Sequence, residues 1–180
     1  MTSTIKVDNI AHSGGTTGMS INSSGDVTES NFALSWWVKT ADTETVGTSV
    51  TTIDDWTEVN GSYGFNRIGG AFTVSSGVFT FPSTGVWKAT AHWFFNSQDA
   101  SRYIGGKLNF NGDNMTQYTH IMDSGSDGVY AHLSTERYCN VTNTGSQTLY
   151  LQVESGVNIQ VRGGFSGGTS VAFQRIAPPQ

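Results

Sequence analysis

The stretch Gly85-Val86-Trp87-Lys88-Ala89-Thr90-Ala91-His92-Trp93-Phe94-Phe95 decides the fold. Trp87, Ala89, Ala91, Trp93 and Phe95 repeat with a period of two, and Lys88, Thr90 and His92 punctuate the opposite side. A helix would scatter these positions around its axis, whereas a strand sends them alternately to two faces. The pattern predicts a strand at the centre of a core. The same period continues on either side of it. Phe32, Leu34, Trp36 and Val38 share one face and Ala33, Ser35, Trp37 and Lys39 the other. Downstream come Ile104, Gly106, Leu108 and Phe110, then Leu149, Leu151 and Val153, then Val157, Ile159 and Val161, and last Val171 and Phe173. Turn signals separate these runs at Ser75-Ser76-Gly77, Pro82 to Gly85, Asn111-Gly112, Asp127-Gly128, Asn143-Thr144-Gly145 and Gly163 to Gly168. No interval between them has room for a long helix. The expected fold class is all-β, an antiparallel β-sandwich of the jelly-roll type.

Composition agrees with that class and narrows the function. The chain has 180 residues, 13% of them charged, with 22 Gly and 12% aromatics. That length can bury a core without staples. A net charge of −5 with no cluster of Lys or Arg leaves no footprint for nucleic acid. No window approaches the roughly 18 uninterrupted apolar residues of a membrane span, so no membrane insertion is expected. With Cys139 as its single cysteine, one copy of the chain can build neither a disulfide nor a cysteine-based zinc site. Residues 1–30 lack Trp and hold only isolated apolar residues (Ile5, Val7, Ile10, Met19, Ile21, Val27) amid Gly, Ser and Thr. They read either as an attachment segment with short strands or as a tail that adds an edge strand, leaving 31–180 as the jelly-roll domain.

Two resemblances add to this reading. Gly77-Val78-Phe79-Thr80-Phe81-Pro82-Ser83-Thr84-Gly85-Val86-Trp87 resembles the signature of the superfamily that joins the complement first-component globular head to tumour necrosis factor. Lys107-Leu108-Asn109-Phe110-Asn111-Gly112 resembles its basic-Leu-x-x-Asn-Gly hairpin, and Thr169 to Ile176 its closing core strand. Upstream, Ser3-Thr4-Ile5-Lys6-Val7-Asp8-Asn9-Ile10 and Met19 to Val27 are similar to the leader of tail-fibre proteins of marine and cyanobacterial phages. The first resemblance implies a homotrimer packed through aromatic and aliphatic faces. Five Trp, ten Phe and six Tyr are more than one small core readily hides, which is compatible with that assembly. Trp36 and Trp37 are the candidate interface residues, and as strand neighbours at most one of them can enter its own subunit's core.

Motifs suggestive of catalysis lack the setting their chemistry needs. Gly164-Phe165-Ser166-Gly167-Gly168 fits G-x-S-x-G, but a nucleophile elbow requires a helix after the serine. Asp123-Ser124-Gly125-Ser126-Asp127-Gly128 resembles the front of a calcium loop, yet Gly125 and Ser134 stand where two ligands belong. His12, His92, His120 and His132 are scattered singly, and the adjacent Asp54 and Asp55 would point to opposite strand faces. A glycosidase needs two carboxylates about 5–10 Å apart and a groove that a small jelly roll with sparse acids offers little room for. No enzyme activity, cofactor or metal is expected.

Strand parity supplies a binding surface. If each antiparallel strand reverses direction, the last returns to the base and Val157 to Arg162 belongs to the connection before that last strand, the connections around 96–100, 123–127 and 163–168 share the far end. Gln98, Asp99, Arg102, Asp123, Asp127 and Phe165 are then a candidate host-binding tip. The combined expectation is a phage virion protein of the tail-fibre or knob kind. It would dock to other virion proteins through its N-terminal segment and meet a host-cell glycan or protein with its jelly roll. The competing readings are a capsid decoration protein that stabilises the shell and, from another class, a polysaccharide-degrading surface enzyme.

Overall fold

The fold is that of a computed structural model, which describes residues 9–11, 17–21, 23–24, 27–29, 32–45, 49–97, 101–121, 129–164 and 168–180. The chain divides into two compact units, Met1–Phe32 and Ala33–Gln180. In the first, β1 (Asn9–Ala11), β2 (Thr17–Ile21) and β3 (Val27–Glu29) form a three-stranded antiparallel meander.

The second unit is the jelly roll. Its strands are β4 (Ala33–Lys39), β5 (Thr43–Thr45), β6 (Thr51–Thr52), β7 (Trp56–Glu58), β8 (Thr73–Ser75), β9 (Val78–Thr80), β10 (Gly85–Ser97), β11 (Ser101–Phe110), β12 (Asp113–Ile121), β13 (Val129–Val141), β14 (Thr148–Ser155), β15 (Ile159–Val161) and β16 (Ser170–Ala177). The larger, seven-stranded sheet runs β5-β15-β10-β16-β4-β7, with β13 on the free edge of β10. The smaller, six-stranded sheet runs β12-β11-β14-β9-β8, with β6 also on β14. Every ladder is antiparallel, and no helix occurs among the described residues.

The predicted central strand is central. One edge of β10 pairs with β13 from Gly85↔Val141 to Ser97↔Val129, and the other takes β16 and then β15. Its row Trp87, Ala89, Ala91, Trp93 and Phe95 is almost wholly buried. Leu108, Leu149, Leu151 and Val153 meet that row from the smaller sheet. Small side chains are needed where large ones cross, and a Cβ on Gly106 would stand 2.7 Å from Trp93 Nε1. Phe173 of β16 lies among Phe72, Phe79 and Phe81, stacked on Phe72 at 4.3 Å. Truncating such a residue to Ala removes about 3–5 kcal/mol.

The β11–β12 hairpin turns through Asn111 and Gly112 with φ of 55° and 87°. Two successive left-handed residues are the requirement of a two-residue hairpin turn that matches strand twist, and Asn-Gly meets it. Across the sandwich, Arg137 of β13 clasps this turn. Its guanidinium donates to the carbonyls of Leu108 and Asp113 and to the Asp113 carboxylate at 2.7 Å.

β4 inverts what its composition suggests. Ala33, Ser35, Trp37 and Lys39 point inward, and the more apolar row Leu34, Trp36 and Val38 points out. The Trp37 indole N–H donates to Ser35 Oγ at 2.8 Å, whose hydroxyl donates to Glu58, and Glu58 is held by Arg67 at 2.6 Å. This chain satisfies the polar atoms that the inward row buries. Lys39 has a fully buried side chain; its Nζ donates to the Asp54 carbonyl at 3.2 Å and lies 3.9 Å from the Asp55 carboxylate.

Burial pushes the Lys39 pKa below its ordinary value of 10.5, against the pull of Asp55, Asp54 and Asp42. The unfolded chain therefore binds a proton that the folded one gives up first. The resulting penalty is fully present below the lowered pKa and gone above 10.5. Lys39→Met is expected to leave the urea midpoint unchanged or raised at neutral pH, with the gap to wild type closing as pH rises toward 10.5. A variant less stable than wild type by about 2 kcal/mol or more would instead make the ammonium a net stabiliser.

Candidate functional site

The outward row of β4 is the candidate surface, because a strand with apolar residues on both sides has one apolar row outside its own core. Trp36 packs against Tyr63 at 5.9 Å and edge-on to Phe65 at 6.0 Å. These two rings sit on a tight loop in which Gly61 N–H bonds the Phe65 carbonyl and Phe65 N–H the Ser62 carbonyl. Tyr63 and Gly64 both adopt positive φ there, and Leu34 bridges to Ile68. In register, Trp36 lies beside Ala172 and Val38 beside Ser170, while Thr90 and His92 of β10 flank β16 from its other side. Small residues on β16 between larger walls leave a cleft of about 550 Å³, with Leu34, Trp36 and Phe65 on one side and His92 on the other.

Beyond β10 the same face carries a stack. Phe94 lies nearly parallel to His132 at 4.4 Å and to Tyr130 at 5.3 Å. Phe94 and His132 are directly opposed across the β10–β13 ladder, where ring pairs reinforce strand register. Tyr130, Tyr138 and Ile176 are all exposed on this sheet. The outer face thus runs from Leu34 and Trp36 across small residues of β16 to the Phe94 stack, with Arg162, paired to Asp42 at 3.2 Å, next to Phe94 and the Lys88–Glu136 pair at 2.6 Å farther along.

The two interface candidates separate as strand neighbours must. Trp37 is only 8% exposed and packs in the core of the sandwich, edge-on to Phe79, and Trp36 lies on the outer face. Of the proposed tip, Gln98, Asp99, Asp123, Asp127 and Phe165 lie outside the described residues, and only the backbone of Arg102 is described, in β11. The strands that lead to two of its connections end together, with Ser97 opposite Val129. The calcium-like loop 123–128 and the serine of the G-x-S-x-G stretch also lie outside the described residues. His92 and His132 are exposed on the outer face. Asp54 and Asp55 close over Lys39 instead of meeting each other. Among the described residues no group of three His, Cys, Asp or Glu could hold a metal ion, and no helix is long and apolar enough to cross a membrane.

Sequence reading missed Tyr63, Phe65 and the Phe94–His132–Tyr130 stack. The first two stand in a loop with no period, and the stack joins residues of separate strands. The alternation of Phe94 with Trp93 was the available signal, since two adjacent large aromatics on a strand must face opposite ways.

No known family model matches the chain, and no curated protein sequence does. Solved structures do. A structure of Eiger TNF from S. frugiperda aligns at a TM-score of 0.57 and 11% identity, over 83% of this chain and 96% of its own. Murine APRIL aligns at 0.54 and 13% identity, over 81% and 99%. The PRD1 vertex protein P5 aligns at 0.48 and 14% identity, over 83% and 98%, too slight a likeness to build on. At these identities the likeness is one of fold, a TNF-like jelly roll.

Cys139 lies on the inner side of β13, where burial pushes its thiol up to about 12. Since the thiolate is the nucleophile, iodoacetamide at pH 8 is expected to leave the native protein unlabelled and to alkylate it in urea; rapid native labelling would show that the sandwich opens.

Proposed function

We propose that this chain is a structural and binding protein of the phage virion, of the tail-fibre or knob kind, and not an enzyme. Its N-terminal residues to about 30 dock it to the particle, and its jelly roll assembles as a homotrimer that faces the host. The observation that carries this reading is the outer face of the larger sheet. Leu34, Trp36, Val38 and Phe94 sit there although the opposite side of the same strands already fills the core. Apolar side chains grouped on an outer face are normally covered by a partner, and in a threefold ring each copy would set this face against a different face of its neighbour. The threefold arrangement is taken from the resemblance to the tumour necrosis factor superfamily, and the virion location from the resemblance of the leader to phage fibres.

Light scattering on the purified chain is expected to give three times 19.3 kDa, and Trp36→Glu to shift the mass toward one subunit while the far-ultraviolet spectrum stays that of a β-sandwich. A wild-type monomer would overturn the assembly. On intact particles, a labelled antibody is expected to mark tails. Marking of the shell would favour the decoration reading, and no marking would end the virion reading.

The tip residues Gln98, Asp99, Arg102, Asp123, Asp127 and Phe165 remain part of the proposal. Replacing Asp99 and Asp127 together by Ala is expected to reduce particle adsorption with the trimer mass unchanged; undiminished adsorption would remove the tip. Three copies of a weak site gain avidity when they engage one surface together.

A further inference from the structure

The outer face of the smaller sheet differs from that of the larger one. Its strands β12, β11 and β14 lie side by side, and the register sets Tyr118, Gly105 and Glu154 in one row across them. Tyr118 on β12 donates its hydroxyl proton to Glu154 Oε1 on β14 at 2.9 Å. Two strand spacings, about 10 Å, separate their backbones, so the phenol ring has to lean over the strand between. Gly105 makes that possible: a Cβ there would stand 2.9 Å from Tyr118 Cε1 and 3.1 Å from Glu154 Cγ. The ring therefore passes over Gly105 on its way to Glu154, and Tyr118 is 58% exposed.

Around this floor stand a wall and a polar rim. Tyr103 of β11 meets Tyr118 at 6.2 Å and 81°, so the two rings form a corner. Lys107 Nζ holds the other oxygen of Glu154 at 2.7 Å, and both side chains are largely covered. Gln152 is the next outward residue of β14, opposite Lys107. A solvent-facing tyrosine normally keeps several rotamers; here the hydroxyl is tied down and the orientation set before any ligand arrives, which reduces the ordering cost of binding.

We propose that this corner binds a neutral pyranose of a glycan. The flat ring of Tyr118 receives the apolar C–H face of the sugar, Tyr103 limits its side, and the Lys107, Glu154 and Gln152 side chains bond its hydroxyls. The charge present decides the class. Lys107 and Glu154 neutralise each other, so among the described residues a carboxylated or sulfated sugar finds no unpaired cation at this corner. A nucleobase would also stack on a ring, but a chain of net charge −5 with no cluster of Lys or Arg does not attract its phosphates. The proposal deepens the host-binding reading and rests on it only for the biological source of the glycan.

Saturation-transfer NMR on the purified chain is the test, with galactose, glucose, mannose, N-acetylglucosamine and their neutral oligomers at millimolar concentration as probes. At least one is expected to bind with the ring protons of a single sugar face most strongly saturated. Tyr118→Ala is expected to weaken that binding by about tenfold or more. Tyr118→Phe, which keeps the floor and frees it from Glu154, should weaken it less, and Tyr138→Ala on the other sheet should leave it unchanged. A folded wild-type chain that binds no neutral saccharide, binding only of a charged saccharide, or binding that survives Tyr118→Ala would each overturn the proposal. The measurement uses no particle. Failure of the virion reading would appear as absence of the chain from particles with saccharide binding intact.

Discussion

The two sheets are held by one row of side chains. Trp87, Ala89, Ala91, Trp93 and Phe95 place large rings at the ends of β10 and small groups at its middle, and the smaller sheet answers with Gly106 under Trp93. Interiors pack at crystal density, so this alternation of size fixes how the sheets meet. Once β10 is seated, its edges are taken by β13, β15 and β16, and β16 in turn determines where β4 lies. The orientation of Phe94, His92 and Trp36 toward solvent follows from the same choice, because every outward residue is the neighbour of an inward one.

That dependence explains what could be read from the sequence. β10 was legible since its apolar row is unbroken, and the Asn111-Gly112 turn since its backbone geometry admits few residue types. β13 was not, although it is as long as β10, because its inward row includes Thr135 and Arg137, and Arg137 is tolerated there only through the carbonyls and carboxylate of the β11–β12 turn. The facing of β4 was similarly hidden: burial of Ser35 and Lys39 depends on Glu58, Asp54 and Asp55, which come from other segments. Tyr118, Gly105 and Glu154 lie far apart in the chain and become a row only when β14 is known to lie beside β11. Pairing partners of polar residues are decided by topology, and local alternation carries no information about topology.

The two outer faces have divided chemistry. The larger sheet presents apolar and aromatic side chains, Leu34, Trp36, Val38 and Phe94, beside polar ones such as Thr90, His92 and the Lys88–Glu136 pair. The smaller presents exposed tyrosines among bonded polar groups, with the Tyr118 hydroxyl tied to Glu154. A sandwich in which one sheet can be covered while the other stays wet is suited to assembly and recognition at once. The TNF-like fold supplies that geometry; the residues that use it belong to this chain.

Lying between β4 and β10, β16 joins one of the first strands of the jelly roll to its central one. Until residues 170–177 have left the ribosome, the larger sheet is split, with unpaired edges on β4 and β10 facing a missing neighbour. Such non-local closure is slow, and open edges are templates for pairing with other chains. The order of synthesis therefore leaves an interval in which the edges of β4 and β10 that β16 will cover are open to other pairing.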